Sequence, residues 1–156
     1  VPWLLTAAAI AALAVVTGWS TSISADRDQL ARTVALREQV LDRLADPDAQ
    51  VVRLAPQEGS ASAAVLLDES RQAYVVVDGL DRNDVESDTY VLWQVPEGGA
   101  PQAVGVFDVT ADGVQVAQVG AVTLGPDRLA ALAVSREAGR VAPPTPSTPL
   151  LVGTPA

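Results

Sequence analysis

Thr89-Tyr90-Val91-Leu92-Trp93-Gln94-Val95 is the stretch that decides the fold. Its side chains fall into two sets at a period of two: Tyr90, Leu92 and Gln94 on one face, Val91, Trp93 and Val95 on the other. β-Branched and aromatic residues at that period suit a pleated strand, not a helix with its 3.6-residue repeat. The run ends in Pro96-Glu97-Gly98-Gly99, where proline presets one turn dihedral and glycine supplies a positive φ. Strand plus tight turn predicts an antiparallel neighbour. The set Val91, Trp93 and Val95 is expected on the inner, core-facing side.

Working outward, residues 103–109 read as the next strand, and Asp112-Gly113 as a hairpin turn into Val114, Val116 and Val119. Residues 129–134 form another run. The stretch 141–149 holds four prolines and reads as extended or irregular, with Leu150-Leu151-Val152 as a weakly held edge strand. On the upstream side, residues 50–54, 61–67 and 74–77 are strand-like, punctuated by Asp68-Glu69-Ser70 and Asp78-Gly79. Short strands with turn signals every 8 to 12 residues read as a β-sandwich or small barrel. The expectation is a mainly β domain over residues 47–156, an antiparallel β-sandwich of seven or eight strands.

Before Pro47 the period changes. Over residues 26–46, Leu30, Val34, Leu41 and Leu44 recur at helical spacing, although Arg37 interrupts the stripe, and Asp46-Pro47 ends the pattern. This predicts an amphipathic juxtamembrane helix. Residues 1–25 carry no charged side chain. The most apolar part, residues 3–19, is bounded by Trp3 and Trp19, whose indoles favour a membrane interface. As a helix it is roughly 25 Å long, near the lower limit for crossing a bilayer. A transmembrane helix with a short linker is therefore expected over residues 1–25, with the lipid bilayer as its partner. The linker Ser20-Thr21-Ser22-Ile23-Ser24-Ala25 has no means of building a core and is expected to be accessible to a protease.

The net charge is −9, and all ten basic residues are arginines scattered singly. Nucleic acid is read by clustered positive charge, so it is not an expected partner. Histidine, cysteine and lysine are absent. That removes thiolate and imidazole metal sites, Cys-His and Ser-His-Asp catalysis, and Schiff-base chemistry. Ser135-Arg136-Glu137 has a hydroxyl but no base beside it in sequence, and Gly98-Gly99 lacks the glycine pattern and lysine of a phosphate loop. No enzyme and no cofactor is expected. The cluster Asp78, Asp81, Asp84, Glu86 and Asp88 has the oxygen ligands for a weak divalent-ion site, but not the calcium-loop spacing, and reads first as a solvated acidic loop.

A resemblance becomes specific on these same residues. The run from Thr89 through Val95-Pro96-Glu97-Gly98-Gly99-Ala100-Pro101 to Gly105-Val106-Phe107 resembles the signature of the anti-sigma-K factor family, in its RskA-like C-terminal region. That signature has a Tyr-x-Leu-Trp core, a glycine-rich turn and a Gly-x-Phe strand. Leu132-Ala133-Val134-Ser135-Arg136-Glu137-Ala138-Gly139 resembles the family's second conserved run, although Ala138 stands where proline is expected and Arg140 where a second glycine is. Pro144-Thr145-Pro146 keeps part of its proline-threonine element, and Gly79-Leu80 fits its Gly-Leu turn. Tyr90, Leu92, Trp93, Gly98, Gly99, Gly105 and Phe107 are accordingly the signature residues and expected core.

The resemblance implies a single-pass protein of the bacterial cell membrane, with the β domain extracytoplasmic. It implies an anti-sigma factor that controls an extracytoplasmic-function sigma factor through regulated proteolysis. A membrane or envelope protease is the implied partner. The sigma factor would bind only through a cytoplasmic N-terminal domain that this sequence does not contain. The competing expectation is an anchored β-sandwich module that binds another envelope protein or assembles a complex.

Overall fold

The residues described below belong to one compact unit. The computed structural model describes residues 49–155. The expected transmembrane helix and linker (1–25) and juxtamembrane helix (26–46) lie outside the described residues. Among the described residues no helix is long and apolar enough to cross a membrane.

Eight strands follow in chain order: β1 (Gln50–Pro56), β2 (Ser62–Leu67), β3 (Gln72–Asp78), β4 (Asp88–Pro96), β5 (Gln102–Phe107), β6 (Gln115–Ala121), β7 (Leu129–Ala138) and β8 (Leu151–Gly153). A 3-10 turn, Pro126–Arg128, leads into β7. Every ladder is antiparallel. The eight form one sheet in the order β5-β4-β7-β8-β1-β2-β3-β6.

Here the structure corrects the sandwich. A sandwich has two separate sheets, whereas β8 pairs with β7 on one side and with β1 on the other and so joins two half-sheets into one. The far edges, β5 and β6, then meet. A Cβ added to Gly105 would lie 2.4 Å from the Val119 carbonyl oxygen, and one added to Gly120 equally close to that of Val104. Only glycine lets two backbones approach this far. The result is a nearly closed eight-stranded barrel, and its inner face is the core. Val52 and Leu54 of β1, Val65 and Leu67 of β2, Val75 and Val77 of β3, Leu92 of β4, and Leu132 and Val134 of β7 belong to one buried cluster.

Two local expectations change with it. Leu150–Val152 is no weakly held edge, because β8 is the interior strand that bridges the halves. Asp112-Gly113 reverses the chain, with Gly113 at φ 79, but β5 ladders with β4 and β6 with β3. The turn therefore spans the seam and closes no hairpin. Two of the other expected turns do close hairpins. Gly98, at φ 65, and the Gly99 N–H bond to the Pro96 carbonyl join β4 to β5, and Asp68–Arg71 joins β2 to β3.

Candidate functional site: a clasp over the outer face of β4 and β7

β4 is buried on both faces, unlike β1, whose alternate residues are exposed. Its inner face holds Tyr90 and Leu92. Tyr90 stacks on Phe107 at 5.6 Å between centroids, donates its hydroxyl to the Asp81 carbonyl at 2.8 Å, and lies 6.0 Å beneath the Arg136 guanidinium. Burial pushes the Tyr90 phenol up from its ordinary value.

Trp93 departs from the expectation. With Val91 and Ala133 it forms a second buried cluster on the face opposite the main core. What buries it is the proline-rich segment 141–149, which crosses the outside of the sheet as a strap. Between strap and sheet lies an apolar cavity of about 380 Å³, lined by Trp93, Val95, Pro101, Ala131, Pro146 and Pro149 among others.

The strap is tied down by one side chain. Ser135 and Glu137 on β7 share the outward parity of Ala133. The Trp93 Nε1–H donates to Ser135 Oγ at 2.8 Å, and Ser135 Oγ donates to Glu137 Oε1. Glu137 also accepts the Ser147 backbone N–H and the Ser147 hydroxyl, each at 2.7 Å. Glu137 is only 4% exposed. Burial alone would raise its carboxyl, but the donors from Ser135 and Ser147 outweigh that and hold it below the usual glutamate range. Just beyond, Leu150 N–H donates to the Val134 carbonyl, Gln57 N–H donates to the Leu150 carbonyl, and β8 begins. The clasp at Ser147 thus fixes the approach to the strand that joins the two half-sheets.

The acidic loop 78–88 is tied to its surroundings at Arg82, Asn83 and Asp88. Arg136 pairs with Asp88 at 2.6 Å and Arg82 with Asp112 at 2.8 Å. Arg140 grips both oxygens of Asp108 at 2.7 Å, and above all else holds that carboxyl below its ordinary range. Buried Asn83 knits the loop to the residues just after β5. It accepts from Val109 N–H at 2.7 Å, and donates to the Asp88 carbonyl at 2.9 Å and to Asp108 at 2.7 Å. Among the described residues no three or more acidic side chains converge to hold a metal ion.

Of the signature residues, Tyr90, Leu92 and Phe107 join the inner core, Trp93 forms the floor under the strap, Gly98 and Gly99 shape the β4–β5 turn, and Gly105 makes the seam. The linker Ser20–Ala25 lies outside the described residues. Sequence reading weighed Ser135 and Glu137 only for catalysis, read 141–149 as extended without placing it over the sheet, and missed Asn83. The signal for the first two was present: they share the parity of Ala133 on β7 and precede a Ser/Thr-Pro segment.

The described residues thus define a class by fold: a nearly closed antiparallel β-barrel whose polar side chains tie down its own loops. Residues 5–150 match the family described as "Anti-sigma-K factor rskA, C-terminal", and the chain belongs to that family. The β domain is accordingly of the extracytoplasmic anti-sigma-factor type. No curated protein and no solved structure matches the chain.

Proposed function

We propose that this chain is the membrane-anchored, extracytoplasmic portion of an anti-sigma factor, held at the bacterial cell membrane by a single pass through residues 3–19. Its β domain is a folded cap over the juxtamembrane segment. While the cap is intact, the linker Ser20–Ala25 is shielded. Loosening of the cap lets an envelope protease cut there, and cleavage within the span follows, freeing a sigma factor held by a domain upstream of Val1.

The observation that carries this reading is the clasp. The two half-sheets are joined through a three-residue strand, and the strap leading to it is pinned by one carboxylate. Such a domain opens by losing a few local contacts, in a way that a signal or partner could drive. No step assigned to this chain needs a nucleophile or metal.

The test restores the upstream region and follows the protein by immunoblot in its own host, with the β domain intact or deleted. Cleavage near residues 20–25 that appears only after deletion supports the cap. Equal stability of both forms refutes it and favours an assembly module.

A further inference from the structure

The outer face of β2 and β3 is covered at one place, and nothing in the two buried clusters accounts for it. Leu66 and Tyr74 sit directly opposite one another across the two strands. Their chain neighbours Val65, Leu67, Ala73 and Val75 all belong to the inner core. By strand parity Leu66 and Tyr74 therefore point outward, away from it. They belong to neither buried cluster of the described residues, yet each is only 2% exposed. Their outer-face neighbours across the flanking ladders, Val51 and Gln118, are exposed. A leucine and a tyrosine buried between exposed flanks mark the footprint of something narrow lying across the strands.

We propose that the footprint belongs to the chain just before β1, and that Leu41 and Leu44 are the residues that fill it. The chain leaves the described residues beside this patch, because Gln50 pairs with Leu67, the neighbour of Leu66. Leu44 stands six positions before Gln50, a reach of at most about 20 Å even fully extended. Leu41 and Leu44 lie three apart, on one face of the amphipathic pattern. A single amphipathic element laid on a sheet covers a narrow stripe and leaves the positions on either side open, which is the exposure pattern observed. The docking stands apart from the regulatory reading. Where both hold, it gives the barrel a direct grip on the segment leading back to the linker.

The absence of native cysteine makes thiol chemistry a clean probe. In the full chain in detergent, Leu66→Cys and Tyr74→Cys are expected to react with a maleimide at least tenfold more slowly than Val51→Cys. Adding Leu41→Asp with Leu44→Asp is expected to abolish that difference. As a second measurement in the otherwise native chain, Leu44→Cys paired with Leu66→Cys or Tyr74→Cys is expected to form a disulfide under mild oxidation. Rapid labelling at 66 and 74 in the parent chain overturns the proposal. So does protection that disappears on dilution, which marks a second copy as the cover, and so does failure of every pairing of 41 or 44 with 66 or 74 to cross-link.

Discussion

Replacing Glu137 by glutamine tests the clasp at its centre. The carboxylate receives three hydrogen bonds, from Ser135 Oγ, Ser147 N and Ser147 Oγ. Hydrogen bonds to a charged group contribute about 1.5–3 kcal/mol each, and neutral ones about 1. Glutamine keeps the shape and one acceptor oxygen, but turns an N–H₂ donor toward hydroxyls that had been donating. Ser147 is exposed and water can serve it in part, so a cost of about 1.5–3 kcal/mol at neutral pH is expected. Urea melts of the full chain in detergent measure it, and amide exchange at Leu151–Gly153 should accelerate by a comparable factor. The pH dependence has a definite sign. The folded-state pKa lies below the unfolded one. The stabilisation is therefore fully present above about pH 4.5 and is lost as pH falls through the depressed folded value. The gap between wild type and Glu137→Gln should narrow on acidification below about pH 4.5. A neutral-pH gap under about 0.5 kcal/mol, or one that stays constant into strong acid, refutes the clasp.

Trp93→Ala removes the floor under the strap next to an existing cavity, so the site has little means of collapsing; a loss of about 3–5 kcal/mol in denaturant melts is expected. Gly105→Ala and Gly120→Ala each drive a methyl into a facing carbonyl and should cost about 1–3 kcal/mol by the same melts, whereas Gly59→Ala meets no neighbouring atom and should carry only the strain of its positive φ. Asn83→Ala strands the buried Val109 N–H and two acceptors; thermal melts should show a loss of about 2–4 kcal/mol. Arg82→Ala breaks only an exposed pair with Asp112 and should change stability by less than about 1 kcal/mol.

The β4 run was legible because seven residues of clean alternation outweigh any helical reading, and the turn at Gly98-Gly99 was legible from its residue types. Alternation divides Tyr90 and Leu92 from Val91 and Trp93, but does not say which set meets the core when both are buried. Here both are, one by the barrel and one by the strap. A turn signal such as Asp112-Gly113 records a reversal of direction, not the identity of the strand that accepts the hydrogen bonds. β8 was read as a strand, but its interior place escaped, because three residues carry no measurable period and its neighbours, β1 and β7, are remote in sequence. Glu137 escaped because an acid in a strand is ordinarily solvent-facing, and only the strap's path makes it interior.

The position of β8 has a consequence for how the domain comes into being. Of the eight strands, the one that joins the two half-sheets is the last to be synthesised. Chains grow and emerge from the N-terminus, so β1–β3 with β6, and β4 with β5 and β7, can each assemble as they appear. Neither half finds its other edge until Leu151–Gly153 arrives. A chain that stops short of Leu151–Gly153 leaves β1 and β7 each with an unpaired edge, the kind of edge that templates pairing with foreign strands.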